Sequence, residues 1–176
     1  MYVDLTQLEQ DELYVEHDYA EGELELDDTE IVLCAPPRAR FRLHRLGTEI
    51  RLEGRVEAEV EVRCDRCLTA FRLVVNPDFD VLYAPIEVLK PEEEVELTER
   101  DLRFGFYRDD LIDIDALVRE QIRLALPFRL LCREDCRGLC PQCGADLNQE
   151  ACQCAPELSD PRWAPLWELR KRMERI

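Results

Sequence analysis

"EIRLEGRVEAEVEVRCDRCLTAFRLVV", residues 49–75, decides how the chain is to be read. Ile50, Leu52, Val56, Ala58, Val60, Val62 and Cys64 fall on one face by strict alternation, and Glu57, Glu59, Glu61 and Arg63 fall on the other. A period of two is the signature of a half-buried strand. The pattern therefore predicts one long strand, or two joined at Gly54. Beyond the CDRC turn, "AFRLVV" and "FDVLYA" repeat the alternation, with a break at Asn76-Pro77. Upstream, "ELEL", "EIVLC" and "RFRLHRL" read as further strands. An antiparallel sheet, or a partly open barrel, with one wet face follows for the N-terminal half.

Downstream the pattern changes twice. Residues 84 to 110 are rich in proline and acid with little periodicity, and read as a loop or excursion. A helix is expected from about 113 to 126, with Asp113 as its cap and Ile114, Leu117, Val118, Gln121, Ile122 and Ala125 along one stripe. Pro127 ends it. A last helix is expected in "SDPRWAPLWELRKRMERI", with Asp160 as cap and Pro161 at its first position. There Trp163, Leu166, Trp167 and Leu169 read as a packing face, and Arg170, Lys171, Arg172 and Arg175 as a basic face able to meet phosphate or acidic protein. The expected class is α+β, with a β-rich domain over 1–126 and a cysteine-rich module with its C-terminal helix over 127–176.

The chain has 176 residues and nine cysteines. Its opening, "MYVDLTQLEQDELYVEHDYAEGE", has neither a basic start nor an apolar run of signal-peptide length, and no later apolar run is long enough for a bilayer. A cytoplasmic protein is therefore expected, in a compartment where clustered cysteines hold metal more often than they form bridges.

Eight of the cysteines form four close pairs: Cys64 with Cys67, Cys132 with Cys136, Cys140 with Cys143, and Cys152 with Cys154. Two such pairs supply the four thiolates of a tetrahedral zinc, so eight imply two structural zinc ions. In "GLCPQCG" proline and glycine shape a knuckle whose amides can face sulfur. Loop closure favours Cys140, Cys143, Cys152 and Cys154 as one compact site, leaving Cys64, Cys67, Cys132 and Cys136 as the other. Spacing also admits a zinc-ribbon pairing of Cys64 and Cys67 with Cys140 and Cys143. Rival readings are a disulfide set, an iron–sulfur cluster, and a thiol redox or zinc-transfer centre at "CDRC", where Arg63 and Arg66 would lower a thiol pKa. Cys34 reads as a small buried side chain.

A four-thiolate shell has no open position for water or substrate, and neither His17, in an acidic loop, nor His44, in a strand, falls in a catalytic motif. No enzyme and no small-molecule substrate is expected. The formal charge is −17; residues 1 to 30 hold twelve Asp and Glu with no Lys or Arg, and "PEEEVELTERD" is a second acidic block. Such a body repels phosphate backbones and attracts basic partners.

"VRCDRCL" after a long alternating strand, then "IDIDALVREQIRLALP", "CREDCRGLCPQCGADLNQEACQC" and "DPRWAPLWEL", resembles the YceD family of large ribosomal RNA subunit accumulation proteins. The likeness runs from Val62 to Leu169. It implies a bacterial, cytoplasmic factor needed for accumulation of large-subunit ribosomal RNA, with no established catalytic activity. The resemblance names a process rather than a partner; the acidic charge points to a pre-large-subunit particle or a basic ribosomal protein, with direct ribosomal RNA contact weak and no membrane involved. Members that keep the first CxxC but lack the "GLCPQCG" segment imply that Cys140 to Cys154 form a separable second site.

Overall fold

The long alternating segment is one strand. Glu49–Arg63 forms β5, fifteen residues running through the middle of the sheet. The structure, a computed structural model, describes residues 1–8, 11–86, 104–154, 162 and 164–173. Four strands share the two edges of β5. On one edge lie β3 (Val32–Leu33) and β4 (Arg38–Leu46), interrupted by Pro36-Pro37. On the other lie β6 (Ala70–Val75) and β7 (Asp78–Pro85), which keep a single register across Asn76-Pro77, Val75 opposite Ala58 and Asp78 opposite Arg55. Proline has no N–H to give to a ladder, so the breaks fall where the prolines stand. Pro77 still accepts from the Val56 amide at 3.0 Å.

β2 (Glu12–Asp18) extends the sheet beyond β4, and β8 (Phe104–Tyr107) extends it beyond β7. The described strands thus form an open path from β2 to β8. Three expectations are corrected here. His17 lies in β2 and not in a loop, its ring edge-on to Tyr19 at 4.4 Å. The segment read as strand "ELEL" joins no ladder: Leu24 and Leu26 are buried and Glu25 exposed, as the alternation demands, but the main chain is held by helix side chains instead. And β8 pairs with β7 in parallel, so the sheet is mixed. β7 and β8 also take the two ends of the expected 84–110 excursion, leaving its acidic centre outside the described residues.

A two-stranded ladder joins β1 (Tyr2–Asp4) to β9 (Leu111–Asp113), and β9 leads directly into helix α1 (Ile114–Leu124). The Asp113 carboxylate accepts from the Ala116 amide at 3.1 Å, the expected cap. Ile114, Leu117, Val118, Gln121 and Ile122 are buried. The helix ends at Leu124, two residues short of the expected end, and Ala125 caps it while packing against the core. The α1 stripe closes over the inner face of β4 and β5, where Phe41, Leu43, Ile50, Leu52, Val56, Val60 and Val62 are at most 1 % exposed. Helix α2 (Ala164–Met173) has Pro165 in its first turn, where a missing N–H costs no helical hydrogen bond. Asp160 and Pro161 lie outside the described residues, as do Trp163 and the side chain of Trp167. Leu166 and Leu169 are more than half exposed, so these two do not supply the packing face expected of that helix.

Gly54 stands opposite Phe41 in a close approach of β4 and β5. A Cβ there would stand 2.3 Å from the Arg40 carbonyl and 2.6 Å from Phe41 Cβ. Gly54→Ala is therefore expected to lower stability by about 2 kcal/mol through forced separation of the strands, measured as a reduced urea midpoint at unchanged slope.

Candidate metal centres

The inward face of β5 ends in Cys64, which delivers that thiol fully buried at the tip of the β5–β6 hairpin. The tip is a tight knuckle. The Cys64 amide donates to the Thr69 carbonyl at 3.0 Å and the Leu68 amide to the Cys64 carbonyl at 2.9 Å. "CPQCGA" folds in the same way, Cys140 to Ala145 at 2.8 Å and Gly144 to Cys140 at 2.9 Å. In each the residue after the second cysteine is left-handed: Gly144 at φ 73°, and Leu68 at φ 60°. Glycine takes that conformation freely, whereas a leucine there is strained by about 1 kcal/mol.

The segment after α1 returns to the first knuckle and clasps it. Asp65 and Leu130 exchange two hydrogen bonds of 2.7 Å, amide to carbonyl one way and amide to carboxylate the other. Arg66 donates to the Cys136 carbonyl at 2.7 Å and accepts from the Leu139 amide at 3.1 Å. These contacts bring Cys132 and Cys136 onto Cys64 and Cys67. Sulfur separations are 3.7 Å for Cys64–Cys136 and 3.6 Å for Cys67–Cys132, and all four lie within 4.8 Å of one another. Cys140, Cys143, Cys152 and Cys154 form a second group under the same limit, with Cys143–Cys152 at 3.6 Å and Cys140–Cys152 at 3.3 Å. A regular tetrahedron of thiolates about 2.3 Å from a zinc has sulfurs about 3.75 Å apart. The donor sets fit that ion; neither the zinc-ribbon pairing nor a disulfide is the arrangement found, and all nine cysteines are free thiols.

The electrostatics of each group is that of a site built for a cation. Burial alone would raise the Cys64 thiol, but amides of Cys132, Cys67 and Arg66 aimed at its sulfur outweigh it and hold the pKa at about 6. Cys140 is likewise held at about 6, by the amides of Cys143 and Gln142. Their companions go the other way: Cys132 is pushed up to about 12 by burial and by the neighbouring thiols, and Cys154 to about 12 by Cys152 and Cys143. Four thiolates repel one another until a dication sits among them. Of the two arginines expected to activate "CDRC", Arg66 acts through its main-chain amide while its guanidinium is turned to the Cys136 carbonyl, and the Arg63 side chain is exposed.

One residue that the sequence did not single out joins the two groups. Asn148, between the cysteine pairs of the second group, donates from Nδ2 to the Cys136 sulfur at 3.5 Å and to Asp146 at 2.7 Å. Its Oδ1 accepts from the Arg137 amide at 2.8 Å and from Arg133 at 2.7 Å. Such outer partners orient ligands and tune their charge. The groups differ in exposure: Cys64, Cys67 and Cys136 are buried, while Cys143 and Cys154 face solvent. Cys34 is in neither group and is partly exposed, not buried as expected. Of the basic cluster, Arg170 and Arg172 are exposed on α2; the Lys171 side chain and Arg175 lie outside the described residues.

A mixed sheet whose central hairpin is clasped by a cysteine-rich segment, with two four-thiol groups that could each hold a metal ion, defines a class of small α+β protein. The chain belongs to the YceD family, described as large ribosomal RNA subunit accumulation protein, whose family model matches residues 52–170. It is 33% identical over 129 residues to an uncharacterized protein of Mycobacterium tuberculosis, covering 73% of this chain and 59% of that one. It is 26% identical over 164 residues to the chloroplastic large ribosomal RNA subunit accumulation protein YCED homolog 1 of Arabidopsis thaliana, covering 79% and 50%, and 25% identical over 152 residues to the uncharacterized protein YlbN of Bacillus subtilis, covering 86% and 84%. The chain thus spans about 59% of the length of the mycobacterial relative. No solved structure matches it.

The shared knuckle yields a signed test. Leu68→Gly, which relieves the left-handed leucine, is expected to raise stability by up to about 1 kcal/mol, and Gly144→Ala, which creates the same strain, to lower it by about 1 kcal/mol. Thermal melts of the two variants beside the parent protein check both signs.

Proposed function

We propose that the chain is a non-catalytic factor in large ribosomal subunit biogenesis, held in shape by two structural zinc ions, and that it acts in the cytoplasm by binding a pre-large-subunit particle or a basic ribosomal protein. Family membership supports the process. The zinc reading rests on two sets of four sulfurs at tetrahedral spacing, and a shell closed by four thiolates leaves no position at which water or substrate can be activated. Among the described residues no helix is long and apolar enough to cross a membrane.

The observation that carries the choice of a protein partner over naked RNA is the state of the arginines on the sheet. Arg38, Arg40 and Arg42 pair with Asp18, Glu16 and Glu12 across β2 and β4, at 3.5, 2.7 and 3.2 Å. Arg51 and Arg55 pair with Asp80 and Asp78 across β5 and β7, at 2.6 and 2.7 Å. This face alternates charge and offers phosphate no continuous positive track, in a chain of net charge −17. Arg170 and Arg172 on α2 leave room for a weak, salt-sensitive contact with ribosomal RNA. Against a thiol redox or zinc-transfer role through Cys64 and Cys67 stand the complete burial of Cys64 and the enclosure of both sulfurs by the returning segment.

Metal analysis of the purified chain should find two zinc ions per molecule. A chelator titration should remove them in two steps, the solvent-facing Cys140–Cys154 site first and the buried site later, with loss of tertiary structure at the second step because metal binding contributes about 10 kcal/mol to such modules. A single readily oxidised thiol pair with no bound metal would refute the zinc reading. For the biological role, the protein should co-sediment with large-subunit precursors in a gradient at low salt and leave them as salt rises. Remaining at the top of the gradient at every salt, with no ribosomal protein captured, would refute the assembly reading.

A further inference from the structure

The strap from Ala20 to Asp28 and the segment around β3 enclose a groove of about 390 Å³ that the metal centres do not use. Its wall is fixed in place. Leu24 and Leu26 are buried in the core, and two α1 arginines hold the strap's main chain, Arg119 on the Glu25 carbonyl at 2.7 Å and Arg123 on the Leu26 carbonyl. Ile31, Val32 and Leu33 give the groove an apolar side, with Val32 54 % exposed. β3 pairs with β5 along one edge only, so its other edge takes part in no ladder among the described residues. Fourteen residues line the groove; Glu21, Glu25, Asp27 and Asp28 are acidic and none is basic. Asp27 approaches Arg119 at 3.8 Å and Asp28 accepts from the Glu30 amide, while Glu21 and Glu25 have no ion-pair partner among the described residues.

We propose that this groove is a docking site for an extended, lysine- and arginine-rich segment of a partner protein, laid along the open edge of β3 with alternate apolar side chains on Val32 and its neighbours and cations against the strap carboxylates. An edge strand supplies main-chain hydrogen bonds that are indifferent to sequence, and the lining supplies the choice of side chains. Charge complementarity selects a basic chain, and the same carboxylates repel RNA. The inference rests on the reading above for the kind of partner, a basic ribosomal protein, and supplies the place where its chain would sit.

The probe is a fluorescein-labelled peptide of alternating lysine and valine, added to the full zinc-loaded chain and followed by anisotropy at low and high salt. Glu21→Gln/Glu25→Gln/Asp28→Asn should weaken binding by about tenfold or more, whereas Asp109→Asn/Asp110→Asn/Glu134→Gln, the same charge change placed elsewhere, should alter it by less than about threefold. Val32→Arg should abolish binding; Val32 is exposed enough for the fold to keep it, which circular dichroism verifies. Because Cys34 lines the groove, bound peptide should also slow its alkylation by N-ethylmaleimide. Equal weakening by both triple variants, unchanged affinity of Val32→Arg, no shielding of Cys34, or tighter binding of single-stranded RNA than of the peptide would each overturn the proposal. Peptide capture with neither co-sedimentation nor capture of a ribosomal protein would leave the groove standing and overturn the ribosomal reading. A Val32→Arg protein that still co-sediments normally would do the reverse.

Discussion

The clasp between the β5–β6 hairpin tip and the segment after α1 is the constraint on which the rest of the molecule depends. Cys64 and Cys136 are 72 residues apart in sequence, and nothing local brings them together. Closing so long a loop has an entropic cost that grows only slowly with length, but it must be met before any sulfur contact is gained. Asp65, Leu130, Arg66 and Leu139 meet it with hydrogen bonds between 2.7 and 3.1 Å. Once they form, the sulfurs stand at tetrahedral spacing and the buried face of β5 is sealed at its open end by Phe71, Leu131 and Leu139 around the thiols. The four-thiol group is thereby the last layer of the hydrophobic core as well as a site beside it.

The same economy of position governs the charges. On the wet face of the sheet, pleat and register put carboxylates directly across from arginines, as with Glu16 opposite Arg40 and Asp78 opposite Arg55, so those groups neutralise one another. On the strap, α1 offers its arginines to main-chain carbonyls, and the nearby carboxylates Glu21 and Glu25 have no ion-pair partner among the described residues. The surplus negative charge of the described residues is therefore unevenly distributed, and part of it borders β3, whose second edge joins no ladder among the described residues.

Much of this was legible in residue order, and the exceptions have physical causes. The alternation of β5, the break at Asn76-Pro77, the Asp113 cap and the grouping of cysteines into pairs are local signals, each expressed within a few residues. β2 was hidden because "ELYVEHD" has no fully buried residue: it is an edge strand, and its polar density imitates a loop. "ELEL" had the period of a strand and buries its leucines accordingly, but hydrogen bonds from Arg119 and Arg123 replace a neighbouring strand, and no local pattern announces that substitution. The parallel partnership of β7 and β8 joins segments far apart in sequence, which no local pattern announces. Leu68 left no trace in the sequence either, since its left-handed backbone follows from knuckle geometry that glycine signals at Gly144 and leucine does not.

Asn148 carries the argument one step further, to the order in which the module is built. The Cys140–Cys154 site closes within fifteen residues, whereas the other draws on ligands from Cys64 to Cys136, so the compact site has the smaller loop to close and can form first. Its loop turns on Asp146, which accepts from the Asn148 amide at 2.9 Å and from Gln149 at 2.8 Å, and that turn aims the Asn148 side chain at Cys136 and at the Arg137 amide. A formed second site therefore presents Cys136 already oriented, with a donor on its sulfur, to the hairpin that carries Cys64 and Cys67. The two groups are thus tied together by an amide side chain whose donor and acceptor groups are both engaged, beside the main-chain bond from the Leu147 amide to the Gly138 carbonyl at 2.9 Å.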